Sequence, residues 1–333
     1  MSDFEPKKLT ILRILQILEN YTDEEHKLTQ AQIIKLLDDE YGIQLARAAV
    51  SRNISWLINA GYDISEEEGG GYKLISRTLE EAELRVLIDG VLSSRYITAS
   101  HSKQLISKLC GLSSKYFRSR TKHISTVNDW GKTENPNLFY NIEIIDEAIE
   151  SRKRIKVNYS KYGNDLKLHR TSTMELSPYQ MFLRNQRYYL MALNEKHKNI
   201  GYYRVDKITN AEMIVNSKIT DIHSIKGYEN GIDYKDISLS RPYMFSDDTV
   251  TVTIIADEFM INDIVDWFGK DISVTPAENG KITVRIKTSP TAMEFWAKQY
   301  MDNVEVISPK SLRRTIHESL INGLKKYRID EEK

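Results

Sequence analysis

Three runs of β-branched and aromatic residues in the middle of the chain decide its fold: IKVNYSKYGND (155–165), SPYQMFLRNQRYYLMALN (177–194) and GYYRVDKI (201–208). Gly, Asn and Pro residues interrupt them, a composition typical of short strands joined by turns. The runs also carry Tyr159, Tyr179, Tyr189 and Arg204, whose side chains are amphipathic or charged. Because side chains alternate between the two faces of a strand, many of these must point inward. The runs therefore predict a small sheet or barrel with polar and aromatic side chains inside it.

The same block resembles the WYL domain of bacterial regulators. Tyr188-Tyr189-Leu190 stands where the family has Trp-Tyr-Leu, so the first position differs. Ser177-Pro178-Tyr179 resembles the Ser/Pro-rich strand entry of the family, and YRVDKI (203–208) resembles its Phe-Arg-Leu-Asp-Arg-Ile run. The resemblance extends to both flanks. It implies a small Sm-like β-barrel that binds a ligand, often suspected to be a nucleic acid or a nucleotide.

Length and composition limit the class of protein. A chain of 333 residues predicts two to three domains. Cys110 is the only cysteine, which excludes an intrachain disulfide and a cysteine-clustered metal site. No apolar run approaches the length that spans a bilayer, and the first residues are acidic and polar, unlike a secretory signal. We therefore expect a cytoplasmic protein with no membrane partner and no cofactor.

Charge is distributed unevenly along the chain. The formal net charge is zero, but residues 150–215 hold thirteen basic and six acidic side chains. This excess suits an anionic partner, and a solvated basic face is the alternative. Residues 1–76 show the opposite balance, with eight basic and thirteen acidic side chains. Phosphate contacts usually supply much of the affinity for DNA, so this region would need a few local contacts or basic neighbours.

The N-terminal pattern nevertheless predicts a winged helix-turn-helix domain at 1–76. Apolar residues at helical spacing mark helices at 7–21, 27–41 and 45–59, and two short strands follow at 62–64 and 72–75. The third helix would enter the major groove with a polar face suited to bases and phosphates. Residues 48–54, AAVSRNI, also resemble the recognition helix of DeoR-type regulators. The predicted DNA-binding residues are Arg47, Ser51, Arg52, Asn53 and Ser55. A three-helix protein-docking module is the alternative.

The remaining chain completes an α+β multidomain prediction. A helical linker is predicted at 77–138 and the WYL ligand-sensing domain at 139–240. At 241–333 the pattern βαββαβ with a closing helix predicts a ferredoxin-like unit. This unit resembles WCX, the C-terminal extension common in the family.

The predicted ligand is anionic, such as a nucleotide or single-stranded nucleic acid. Arginine forks onto phosphate or carboxylate, and aromatic rings stack on bases. Tyr188 and Tyr189 are neighbours on one strand and must face opposite sides, and the resemblance favours Tyr189 as the one in the pocket. Asp206 would either orient Arg204 or neutralise it in a structural ion pair. The predicted ligand-binding residues are Tyr159, Arg170, Ser177, Tyr179, Tyr189 and Arg204.

Catalytic motifs are missing from the sequence. The run Gly69-Gly70-Gly71 lacks the Lys-Ser/Thr of a phosphate loop, and no histidines lie four residues apart. We therefore expect that the protein is not an enzyme. We expect a DNA-binding transcriptional regulator that senses a ligand. One winged helix reads few base pairs, so a homodimer on a double-stranded operator is predicted. The alternative is an accessory protein whose barrel binds single-stranded nucleic acid and modulates a partner enzyme.

Overall fold

A computed structural model describes residues 9–67, 70–121, 132–234, 237 and 240–327 of the chain. Part of the predicted wing tip, Glu68 and Gly69, lies outside these residues. The chain divides into two compact units, 1–134 and 135–333. Both combine helices with antiparallel strands, which confirms the α+β class.

Three helices and a hairpin begin the first unit, in the predicted order. They are α1 (Thr10–Tyr21), α2 (Gln30–Tyr41), α3 (Arg47–Asn59), β1 (Ile64–Glu66) and β2 (Tyr72–Leu74). The Thr29 hydroxyl accepts from the backbone of Gln32 while the Gln32 side chain accepts from the backbone of Thr29, so a capping box starts α2. Gly42 ends α2 in the left-handed region, with φ +64°. Their shared core is apolar and includes Ile14, Leu18, Ile33, Leu37, Val50 and Ile54.

The described part of the predicted linker contains three helices, α4 (Glu81–Ser93), α5 (Ala99–Cys110) and α6 (Lys115–Thr121). These helices share a small core of their own, formed by Leu84, Ile88, Cys110 and Phe117. One side of α4 is thereby buried.

The second unit opens with α7 (Leu138–Glu150) and a five-stranded sheet. Its strands are β3 (Ile155–Tyr162), β4 (Leu168–Arg184), β5 (Arg187–Asn194), β6 (Asn199–Arg204) and β7 (Ile208–Met213). They lie in the order β6-β5-β4-β3-β7, and every neighbouring pair is antiparallel. The edge strands β6 and β7 are consecutive in sequence and are joined by the 3₁₀ turn Val205–Lys207. The sheet must therefore curl until its two edges approach each other at this turn, which we call the closure turn.

The segment after β7 packs against the sheet. Its apolar side chains, including Ile219, Ile222, Ile237 and Met244, pack against Tyr179, Met191, Leu193 and Ile200 of the sheet. The segment therefore covers one face of β4, β5 and β6.

The end of the chain forms the predicted ferredoxin-like arrangement. Its elements are β8 (Val250–Asp257), α8 (Ile261–Phe268), β9 (Ser273–Pro276), β10 (Lys281–Thr288), α9 (Pro290–Gln299), β11 (Val304–Ser308) and α10 (Lys310–Lys326). The strand order is β11-β8-β10-β9, antiparallel throughout. The predicted Asn279-Gly280 turn joins β9 to β10 with positive φ at both residues. Phe268 and Trp296 meet edge to face in the core, 5.1 Å apart.

Candidate functional site

Two arginines share one buried carboxylate at the closure turn. Asp206 is only 3% exposed. Arg204, the last residue of β6, donates from Nε to Asp206 Oδ1 at 3.0 Å and from Nη2 to Oδ2 at 2.6 Å. Arg187, the first residue of β5, donates from Nη1 to the same Oδ2 at 2.7 Å. Asp206 therefore fixes both guanidiniums in one place, and we call Arg187, Arg204, Asp206 and Lys207 the arginine cluster.

Two buried asparagines hold the backbone of the closure turn. Asn135 donates from Nδ2 to the carbonyls of Asp206, at 3.1 Å, and Ile208, at 2.6 Å. Asn141, on α7, donates to the Ile208 carbonyl at 2.6 Å and accepts from the Ala211 amide at 3.0 Å. Because both amides are buried, these bonds are shielded from competing water. The carboxylate of Asp206 is thus presented by a backbone that is itself fixed.

The arginine cluster carries more positive than negative charge. Burial opposes the charged form of Arg204, but its hydrogen bonds and attraction to Asp206 outweigh this and raise the pKa of the guanidinium. Burial and then repulsion from Arg204 lower the pKa of Lys207. One carboxylate is thus set against two arginines and a nearby lysine, which leaves the cluster with a net positive charge. Such a site attracts anions.

Two of the predicted tyrosines lie beside the cluster. Tyr189 on β5 stands directly opposite Arg204 on β6, so their side chains lie on the same face of the sheet. Tyr159 on β3 meets Tyr203 edge to face at 6.0 Å. Burial raises the pKa of both Tyr159 and Tyr189, which therefore stay protonated at neutral pH. Arg204, Tyr159 and Tyr189 are brought together as the sequence predicts.

Ser177 and Tyr179 are instead used for packing. Ser177 is fully buried, donates to Glu195 Oε1 and accepts from the Thr220 amide at 3.0 Å. Tyr179, 9% exposed, donates its hydroxyl to the Thr220 carbonyl at 2.9 Å. Burial also raises the pKa of the Tyr179 hydroxyl well above its ordinary value. Both residues hold the segment after β7 against the sheet, so neither presents a polar group to a ligand, contrary to the prediction.

Arg170 also lies apart from the cluster. Its side chain is exposed on β4, where Arg170 pairs with Ser160, and that side chain makes no hydrogen bond or ion pair with the described part of the chain. The sequence did not identify Arg187 and Lys207 as site residues. Arg187 lies two residues before Tyr189 on one strand and so shares its face, a signal that could have found it. No comparable signal marks Lys207.

The predicted DNA-binding residues of α3 fall into two groups. Arg47, Arg52 and Ser55 are exposed, and the Arg52 guanidinium lies 5.7 Å from the ring centre of the exposed Trp56. Ser51 is half-buried and accepts from Gln30 Nε2 at 2.7 Å.

Asn53 faces the other way, contrary to the prediction. It is 8% exposed and donates to the Ala49 carbonyl of its own helix at 2.7 Å. It therefore belongs to the buried side of α3, while Trp56, which the prediction left out, stands on the exposed side.

One large cavity lies apart from the arginine cluster. A cavity of about 710 Å³ is lined by Arg154, Thr173, Glu195 and Lys198 among others, but by no member of the arginine cluster. Within the described ranges, no three His, Cys, Asp or Glu side chains are grouped to hold a metal ion. The described helices include none with the length and apolarity to cross a membrane.

The comparisons with known proteins point to one domain. Residues 140–213 match the family model of the WYL domain, which confirms the resemblance and includes the whole arginine cluster. No curated protein matches the sequence.

Two solved structures are similar over 96% of this chain. Proteasome accessory factor B/C (PafBC) of Arthrobacter aurescens is 16% identical with a TM-score of 0.28 and is covered over 49% of its length, so the chain spans about half of it. A CRISPR Cas-related protein is 15% identical with a TM-score of 0.38 and is covered over 84%. Neither TM-score is high enough to inform function.

Proposed function

We propose that this WYL-domain protein is a DNA-binding transcriptional regulator whose WYL domain senses an anionic ligand at the arginine cluster. The observation that carries the proposal is the pair of guanidiniums held by a single buried carboxylate. One arginine is enough to neutralise the charge of one aspartate in an ion pair that only supports the fold. The second arginine and Lys207 leave positive charge that an anion would balance.

The geometry suits an oxyanion. Arg204 uses Nε and Nη2 on Asp206, which leaves Nη1 unused by that carboxylate. A planar guanidinium held on one edge presents its other edge in a fixed direction, which favours phosphate or carboxylate. Tyr159 and Tyr189 add aromatic faces and hydroxyls. Phosphates and stacking surfaces together favour a nucleotide or single-stranded nucleic acid as the ligand.

The first unit would bind the operator as one half of a homodimer. Arg47, Arg52 and Ser55 give α3 an exposed face that can donate to bases and phosphates, and Ser51 borders it. Residues 1–76 are acidic overall, so few phosphates would be neutralised and binding would respond weakly to salt. The ligand regulates only if its affinity differs between the states that bind and do not bind DNA.

The DNA-binding half is tested by capturing genomic fragments with the purified chain and footprinting the enriched sites. The Arg47→Ala, Arg52→Ala double variant should lose the footprint, while Lys35→Ala on α2 removes a positive charge elsewhere and should keep it. A double variant that footprints like the parent would refute the assignment of α3.

The ligand half is tested by titrating single-stranded oligonucleotides and nucleotides against Arg204→Ala and Arg170→Ala. Both substitutions remove one positive charge from the same sheet, but only Arg204 belongs to the cluster. Arg204→Ala should weaken binding by at least tenfold more than Arg170→Ala. Equal losses would mean that the general charge of the sheet, and not the cluster, attracts the anion.

The acidic balance of residues 1–76 favours a second candidate function. In this alternative the chain is an accessory protein that binds single-stranded nucleic acid through the WYL domain and modulates a partner enzyme. Capture of genomic duplex that enriches nothing, together with oligonucleotide binding lost in Arg204→Ala, would favour it.

A further inference from the structure

Helix α4 has an apolar side that faces solvent. Leu84 and Ile88 are buried in the small core of the linker helices. On the opposite side Ala82, Val86 and Gly90 follow one another at four-residue spacing, which places them in one line along the helix. Val86 is 70% exposed, and the neighbouring Leu87 is 44% exposed. The helix is therefore apolar on two sides, as are helices that pack between two partners.

No crowding among the described residues explains Gly90. A methyl group added there would meet nothing within 4 Å, and its φ is not in the left-handed region. Glycine inside a helix lowers helix stability relative to alanine, so neither crowding nor backbone conformation accounts for it. Small residues on a helix surface let a second helix approach closely. Ala82 and Gly90 lie one turn on either side of Val86 and leave room for a bulky side chain from such a helix.

The line of Ala82, Val86 and Gly90, which we call the α4 stripe, is bordered by a basic and an acidic residue that could pair with the same two residues of a second copy. Arg85 donates to Asp89 at 3.1 Å along one flank, and both are about half exposed. Along the helix axis, the midpoint between them is at the level of Leu87. A two-fold axis that passes beside Leu87, perpendicular to the plane of two antiparallel helices, places Arg85 of each copy opposite Asp89 of the other.

We propose that α4 is a homodimer interface in which two copies pack antiparallel about the level of Leu87, with Val86 of each copy packed against Gly90 and Val86 of the partner. The inference rests on the proposed function for its purpose, since two copies would present two α3 helices to two half-sites. The partner is a second copy because the charge pattern and the small-large-small stripe are both self-complementary.

Sedimentation of the full chain, followed by a mixing experiment, tests the interface. Val86→Glu should raise the dimer dissociation constant by at least tenfold, while Leu112→Glu, at another exposed apolar position outside α4, should leave it unchanged. Arg85→Asp makes an acidic copy and Asp89→Arg makes a basic copy, and each should dimerise poorly by itself. Mixed in equal amounts they should form heterodimers, because every acidic position then faces a basic one.

The mixing step distinguishes a contact between copies from the Arg85–Asp89 bond within one helix. Each variant still has two like charges on its own helix after mixing, so recovered dimers must come from contacts between the copies. Dimers that survive Val86→Glu, or acidic and basic copies that remain apart, would overturn the assignment of α4 and leave the proposed function standing. A parent chain that is monomeric both alone and on operator DNA would also overturn it. Failure of the proposed function shows separately, as a chain that forms α4-dependent dimers yet footprints no DNA.

Discussion

Replacing Asp206 with asparagine removes the charge that holds the arginine cluster together. Arg187 and Arg204 would then face each other without their common acceptor, and the new amide would turn N–H groups toward one of them. Thermal unfolding should shift to lower temperature. The loss should be reduced by inorganic phosphate, because an anion can replace the carboxylate between the two guanidiniums.

The magnitude follows from burial. Breaking a fully buried ion pair costs about 3–5 kcal/mol because the remaining charge is left uncompensated. The Arg187 and Arg204 side chains are 19% and 25% exposed, so water reaches them and replaces part of the lost interaction. We therefore expect a loss of about 2–3 kcal/mol in the free energy of unfolding, at or below the lower end of that range.

Asp165→Asn is the matched control. Asp165 accepts from His169 at 2.8 Å in the turn before β4, but it is 49% exposed. Exposed pairs contribute little, so its loss should be much smaller than that of Asp206→Asn. Calorimetry with and without phosphate checks both variants. The reasoning is refuted if Asp206→Asn unfolds like Asp165→Asn, or if phosphate stabilises the parent more than it stabilises Asp206→Asn.

Three further predictions concern other parts of the chain. Asn141→Ala should destabilise the second unit by about 2–3 kcal/mol, since the Ile208 carbonyl and the Ala211 amide lose a buried partner, and urea unfolding monitored by circular dichroism measures it. Burial raises the pKa of Glu195, but hydrogen bonds from Lys198, Ser177 and Thr220 outweigh it and lower the pKa. Its contribution to stability is therefore complete above the ordinary glutamate pKa of about 4.3 and disappears as pH falls below it, so unfolding of Glu195→Gln should depend less on pH in that acidic range. Arg52→Ala should weaken operator binding by about 1–3 kcal/mol if Arg52 contacts guanine, as measured by fluorescence anisotropy at fixed salt.

The fold was largely predictable because its signals are local. The capping box at Thr29, the left-handed Gly42 and the Asn279-Gly280 turn each depend on a few neighbouring residues. The spacing of Arg204 and Asp206 likewise indicated their ion pair before the structure showed it.

The site was less predictable because its partners come from distant parts of the chain. Ser177 and Tyr179 hydrogen-bond to the backbone of Thr220, which lies more than forty residues later, and the sequence does not reveal that pairing. Arg187 reaches Asp206 because β5 and β6 pair in the register that sets Tyr189 opposite Arg204, and the sequence alone does not fix that register. The prediction that Asn53 contacts DNA failed for a different reason. It shares helical spacing with the buried Val50 and Leu57, so periodicity alone could have placed it on the inner side of α3.

The central claim is that an anion at the arginine cluster alters DNA binding. The most direct measurement is the operator affinity of the parent, Arg204→Ala and Arg170→Ala chains, by fluorescence anisotropy, with and without a single-stranded oligonucleotide. The account predicts that the oligonucleotide shifts operator affinity at least fivefold in the parent and in Arg170→Ala, and leaves it unchanged in Arg204→Ala. An Arg204→Ala chain that folds, binds operator and responds to the oligonucleotide like the parent would contradict the claim and make Arg204 part of the scaffold.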